Sequence, residues 1–295
     1  MTRRFVAALA TATLLPLATL AAGPPAAAVS ASPRRGETGR PFLSCIGARD
    51  YHATAQNWAF AQDDRGLLYV GNNLGVLEYD GASWRLIETA AKSVVRAIAK
   101  DEHGRLYVGS TGEIGYLAPD EKGHLQYVSL LPNVPPEDRA FNDVWTAHVT
   151  PQGIYFQSRE ILLRATPPAD PAATTGWRVR SWKPRGRFLY GFWVRGTYYV
   201  HEQGVGLQRM VGDTLELVPG SEQFSAERVQ ILLPLSSGGS DLLLGTFNRG
   251  LFRYDGRIFE PFVTDADAYL RQRTLYKGVP LPDGTFEVTT QFKKV

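Results

Sequence analysis

Asp64-Arg65-Gly66-Leu67-Leu68-Tyr69-Val70-Gly71 returns as Glu102-His103-Gly104-Arg105-Leu106-Tyr107-Val108-Gly109. Fainter echoes follow at Pro151-Gln152-Gly153-Ile154-Tyr155-Phe156, Arg195-Gly196-Thr197-Tyr198-Tyr199-Val200, Asp241-Leu242-Leu243-Leu244-Gly245 and Asp283-Gly284-Thr285-Phe286-Glu287-Val288. Superposed, they put Tyr69, Tyr107, Tyr155, Tyr199, Leu243 and Glu287 at one position, spaced 38, 48, 44, 44 and 44 residues apart. The longest interval holds a Pro-, Ala- and Thr-rich stretch, 166–176, which reads as an inserted loop. A second echo fixes the register. Gly75-Val76-Leu77-Glu78-Tyr79-Asp80-Gly81 matches Gly250-Leu251-Phe252-Arg253-Tyr254-Asp255-Gly256 in residue type, at the same offset behind its own mark.

One repeat reads as four short strands. In the first, residues 57–62 form an apolar strand and Asp63-Asp64-Arg65-Gly66 a turn, because Asp accepts local backbone bonds and Gly supplies positive φ. Strands over 67–71, 76–79 and 83–88 follow, separated by Asn72-Asn73-Leu74-Gly75 and by the hairpin signal Asp80-Gly81. Four strands per ~40–50 residues is the period of a propeller blade. The expected fold is therefore an all-β propeller of about five complete blades and a partial sixth, in an incomplete ring. Helical periodicity is weak and confined to 266–273.

Composition agrees. The chain has 295 residues, 44% of them hydrophobic and 21% charged, which suffices for a packed core. The net charge of +3 comes from interspersed residues, which is no nucleic-acid signature, and nucleic acid is not an expected partner. A lone cysteine, Cys45, excludes an internal disulfide framework and a multi-thiolate metal site, and its expected state is a partly buried free thiol. The five histidines make no short ligand pair and the carboxylates form no chelating loop, so neither metal nor cofactor is expected. Arg3 and Arg4 precede an uncharged apolar run over 5–22, followed by the small-residue exits Ala26-Ala27-Ala28 and Val29-Ser30-Ala31. This reads as a secretory signal peptide over 1–31, the competing reading being an uncleaved anchor. A linker over 32–50 and a propeller over 51–295 complete the expected organisation.

Gln56-Asn57-Trp58-Ala59, the turn and strand over 64–71, Gly75 to Gly81, Ser83-Trp84-Arg85-Leu86-Ile87 and Ser93-Val94-Val95-Arg96 resemble the opening blades of bacterial two-component regulator propellers. These are the periplasmic sensor domains of triple-tyrosine-motif proteins. The resemblance covers about residues 50–290, most clearly in blades one, two and five. It implies a seven-bladed ring that senses a ligand outside the cytoplasm and passes the signal to an output module. The family's sandwich, membrane span and output module have no counterpart in this sequence, so an N-terminal fragment is the expectation, with unclosed propeller faces open to self-association or a partner protein.

Connectivity says where a ligand would sit. The turn between second and third strands and the entry to each first strand share one face of the ring, and loops of every blade converge there. This set contains Asn57, Trp58, Asn72, Asn73, Ser110, Thr111, Asn142, Trp145, Ser158, Arg159, Tyr190, Trp193, His201, Glu202, Arg228, Asn248 and Arg249. Aromatics, amides and arginines suit a sugar or an anionic small molecule, through stacking and directional bonds. The competing readings are plainer: tryptophans packed between blades, asparagines serving turns at positive φ, and His201 as a solvated rim histidine. His201 beside Glu202 leaves open a secreted lyase or hydrolase acting on glycans or lactones, and a protein-binding scaffold is a third possibility. The stretch Trp177-Arg178-Val179-Arg180-Ser181-Trp182-Lys183-Pro184-Arg185-Gly186-Arg187 reads either as an anion-binding strip or as an outer strand with a solvated basic face.

Overall fold

The computed structural model describes residues 44–292, except 171–172, 237 and 282. The signal-peptide reading and most of the linker lie outside the described residues. A compact unit spans 46–295. It begins before residue 51 because Tyr51 is buried in a cluster with Val70 and Leu77, against which Ala48 and Ala53 pack.

Five four-stranded antiparallel sheets and one two-stranded sheet follow in chain order. The first is β1 (Asn57–Gln62), β2 (Leu68–Asn72), β3 (Gly75–Tyr79) and β4 (Trp84–Ile87). The second is β5 (Val95–Lys100), β6 (Leu106–Ser110), β7 (Glu113–Pro119) and β8 (Leu125–Ser129). The third is β9 (Thr146–Thr150), β10 (Gly153–Gln157), β11 (Leu162–Thr166) and β12 (Arg178–Trp182). The fourth is β13 (Phe188–Val194), β14 (Thr197–Glu202), β15 (Gly206–Val211) and β16 (Thr214–Leu217). The fifth is β17 (Val229–Pro234), β18 (Leu242–Thr246), β19 (Gly250–Tyr254) and β20 (Phe259–Pro261). A short helix, α1 (Asp267–Gln272), leads into the two-stranded sheet β21 (Arg273–Pro280) and β22 (Phe286–Phe292). The first strands of consecutive sheets, β1, β5, β9, β13, β17 and β21, lie side by side. Each sheet is ordered outward from its first strand, and the fold is a β-propeller.

The sequence repeat has a local cause. Asp63 Oδ1 accepts the N–H groups of Arg65 and Leu67, each at 2.9 Å. Asp101 Oδ1 accepts those of His103 and Arg105, at 2.9 and 2.8 Å. Gly66 and Gly104 close these turns at φ 90° and 81°, where a side chain would be strained. The repeat tyrosine then bonds back to its own turn: Tyr69 Oη donates to Asp63 Oδ2 at 3.3 Å and Tyr107 Oη to Asp101 Oδ2 at 3.0 Å. The repeated Asp, Gly and Tyr are thus one structural unit.

Blades join through apolar clusters that each span two neighbours. Tyr69, Val76 and Ile87 meet Val95, Leu106 and Val108. Tyr107, Ile114 and Tyr116 meet Phe141, Val144, Ile154 and Trp177. Tyr155 and Leu162 meet Phe188, Tyr198 and Val200. Leu207 and Phe224 meet Val229, Leu244 and Phe252. Ile231 and Leu243 meet Leu275 of the last sheet. The glycine ending the repeat serves this packing: a Cβ at Gly109 would lie 2.4 Å from Val144 Cγ1, so only glycine lets the next blade approach. Trp177, at the head of the basic stretch, is buried and stacked on Tyr116 at 5.1 Å between centroids. Behind it, Arg180 pairs with Asp213 and Lys183 with Asp138, so those two basic side chains serve the scaffold. Cys45 is free and exposed, which corrects the expectation of partial burial.

Candidate functional site

Every first strand except β9 carries an irregularity in its pairing to the second strand, near its entry. The shifts fall between Asn57 and Ala59, Val95 and Ala97, Phe188 and Gly191, Val229 and Ile231, and Leu275 and Lys277. A β-bulge leaves an extra residue unpaired and re-aims its side chain. The residues in these bulges include Trp58, Arg96, Tyr190, Gln230 and Tyr276, and all five line one cavity of about 490 Å³. Trp145, one residue before β9, lines it too, its N–H bonded to Gln157 O at 2.7 Å. All six first strands therefore contribute to a single central channel.

At its entrance the Arg96 guanidinium lies 3.9 Å from the ring centre of Trp58 and 4.7 Å from that of Trp145. Arg159 sits over the same Trp145 ring at 5.1 Å. Arg96 Nε is 2.9 Å from Asp143 Oδ1, an ion pair too bent for a hydrogen bond, so Nε and Nη1 are buried without hydrogen-bond partners. Trp58 is tethered from its far edge, its Nε1 donating to Asn73 Oδ1 at 2.7 Å. Deeper in, His148 Nε2 meets Gly191 O at 3.0 Å, and burial, with Lys277 nearby, pushes its pKa down. Burial raises the Tyr190 hydroxyl, and the Tyr276 hydroxyl adds to this, while Arg159 and Arg228 oppose it. These groups therefore surround one space.

Of the expected site residues, Asn57, Trp58, Trp145, Tyr190 and Trp193 line the channel, and Asn73 and Arg159 support it. Trp58 and Trp145 are partly exposed, so they are not simply inter-blade packing. Asn72 is different. It is wholly buried and bonds to Thr54, Gln56, Asn57 and Leu74. Neither Asn72, Asn73 nor Asn248 is at positive φ; Gly75 and Gly250 take that role in their turns. Asn142 is exposed and bonds to Glu160. Asn248 and Arg249 are exposed away from the cavity, with Arg249 stacked on Phe224 and Phe252 and donating to Gln223 O at 3.0 Å. His201 corrects the rim expectation: it is 0% exposed, with Nε2 3.0 Å from Phe224 O. Burial takes its pKa down to about 4. Glu202 beside it accepts the Arg185 and Gly186 N–H groups and pairs with Gln208, and neither residue lines the channel.

The expected set did not include Arg96, Asp143, His148, Gln230, Tyr276 and Lys277. A signal for two of them is present. Arg96 and Tyr276 precede their repeat marks Tyr107 and Glu287 by the same 11 residues that separate Trp58 from Tyr69. Among the described residues no group of three or more His, Cys, Asp or Glu is placed to hold a metal ion, and no helix is long and apolar enough to cross a membrane.

No protein-family model and no curated protein matches the chain. Solved structures do. A catalytically inactive virginiamycin B lyase from Staphylococcus aureus, solved with quinupristin, is 12% identical with a TM-score of 0.57, over 81% of this chain and 78% of that one. YCF48 from Cyanidioschyzon merolae is 12% identical with a TM-score of 0.52, over 77% of each chain. The extracellular domain of a hybrid two-component system protein from B. thetaiotaomicron is 16% identical with a TM-score of 0.45, over 80% of this chain but only 37% of that one. At such identities the first two likenesses concern the fold alone.

Proposed function

We propose that this chain is an extracytoplasmic ligand-sensing β-propeller domain, and that its ligand enters the central channel over Trp58, Trp145 and Arg96. The observation that carries the reading is the channel wall. In a scaffold whose buried large side chains pack mostly between blades, the first strands turn aromatic and polar side chains into one shared cavity. A volume near 490 Å³ falls within the range of small-molecule sites. Flat indole and phenol faces with few directed polar groups suit a sugar-sized ring. The extracytoplasmic setting and the signalling role rest on the leader-like N-terminus and on the resemblance of blades one, two and five to regulator propellers.

The test is a thermal-shift screen of mono- and oligosaccharides and small organic acids against the chain and its Trp58→Ala and Trp145→Ala variants. A ligand at a hundredfold its Kd stabilises by about 2.7 kcal/mol, a shift of several degrees at this size. Binding that vanishes in both variants supports the channel. Ligands that stabilise all three proteins equally would place the site elsewhere. Fractionation of the source cells checks the compartment.

A further inference from the structure

We infer that the ligand carries an oxyanion group, a carboxylate or a sulfate ester, and that this group docks at Arg159 beside the Trp145 ring, in the positive field that Arg96 shares. The inference rests on the channel-mouth reading above and gives it a ligand class.

Two guanidinium groups share the Trp145 ring, at 4.7 and 5.1 Å from its centre, so they lie within about 10 Å of each other. One carboxylate, Asp143, pairs with Arg96, and it is already engaged. Its Oδ1 takes both the Arg96 pair and the Thr111 hydroxyl, the latter at 2.6 Å. The other nearby carboxylate, Glu160, is occupied by the backbone and side-chain N–H groups of Asn142. Among the described residues the Arg159 side chain has neither a hydrogen bond nor an ion pair. Elsewhere on the blades Arg65, Arg85, Arg164 and Arg253 each have a carboxylate partner. The channel lining itself carries Arg96 and Lys277 and no carboxylate, and Arg159 and Arg228 add to the positive field around it.

Stacking selects what the excess charge can bind. A guanidinium held face-on to an indole spends its face and keeps its N–H edge, and that edge fits the paired oxygens of a planar or tetrahedral oxyanion. Arg96 turns its Nε side toward Asp143 and keeps Nη1 buried, so it contributes a fixed charge beside the site rather than an open edge. Two indoles hold it in place, so little side-chain entropy is lost when an anion arrives. The ring that carries the group would lie against the aromatic wall.

Calorimetric titration of the chain with D-glucuronate, D-glucose 6-sulfate and D-glucose at constant ionic strength tests this. At least one anion is expected to bind roughly tenfold or more tighter than glucose, the effect of one charge-assisted contact. The tighter of the two anions tells carboxylate from sulfate ester. Arg159→Gln should weaken anion binding roughly tenfold more than it weakens glucose binding, while Arg159→Lys keeps part of the anion's advantage. Circular dichroism and melting of each variant confirm folding. Equal binding of all three sugars, weakened together by Trp145→Ala, overturns the oxyanion site and leaves the channel reading standing. Anion binding insensitive to both Arg159→Gln and Trp145→Ala overturns both. Absence of binding by both anions at millimolar concentration, by titration and by thermal shift, overturns the inference as well.

Discussion

Asn72 and Arg96 stand at the same end of adjacent blades, one closing β2 and the other opening β5, and their hydrogen bonding is opposite. Asn72 is 0% exposed, and both its amide oxygen and its amide nitrogen are bonded, tying the entry segment at Thr54 and Gln56 to the first blade. Arg96 is held by ring faces and one carboxylate and keeps N–H groups without hydrogen bonds. A buried polar group left unsatisfied costs stability; Asn72 is saturated as a structural hub, whereas Arg96 carries that cost beside the channel. The contrast separates a saturated hub from an unsaturated channel-lining residue on one rim, although both are polar and both sit beside turns.

The comparison can be broken by substitution. The largest effect is expected at Asn72→Ala, which strands several buried partners and should lower stability by about 3 kcal/mol in a urea melt. A loss under about 1 kcal/mol would mean that the hub is dispensable.

A comparable effect comes from pH through His201. Its folded pKa, about 4, lies below the ordinary 6.5 because burial disfavours the charged ring. The unfolded chain therefore binds the proton first. Stability is full above about pH 6.5, falls as pH drops toward 4 and falls no further from this group below that. The loss is on the order of 3 kcal/mol, and His148 acts in the same direction. Melts from pH 7 to 4 should show this slope, reduced in His201→Gln; an unchanged slope would take His201 out of the account.

A smaller change is expected at Asn73→Ala. It removes a single bond, the one to Trp58 Nε1, and should cost about 1 kcal/mol while altering tryptophan emission. The smallest is Arg159→Gln, which should leave stability within about 0.5 kcal/mol, because no hydrogen bond or ion pair of its side chain is lost. A larger fall would make Arg159 a scaffold residue and weaken the contrast with Asn72.

Much of this rim was legible in the sequence. Strand β1 spans Asn57–Gln62 as its apolar pattern requires, and α1 (Asp267–Gln272) falls within the one weakly helical stretch. Trp58, Trp145, Tyr190 and Trp193 do reach the channel. His201 was misjudged because a strand end beside a turn looks exposed from sequence, whereas the segment at Ser221–Phe224 folds over it and supplies the Phe224 carbonyl. Arg96 was passed over because one arginine in an apolar strand carries no signal until blades are compared position by position.

The sequence by itself determined the blade. Asp, Gly and Tyr at fixed offsets close a turn, start a strand and bond the strand back to the turn, all within one repeat. Such interactions are local, and local chemistry is written in consecutive residues. Only the tertiary structure decided the site. The stacking of Arg96 on Trp58 and Trp145 joins three blades, and its existence depends on bulges in β1 and β5 that turn single residues inward. Which side chains meet across a ring is set by how blades pack around its axis, and no single repeat contains that information.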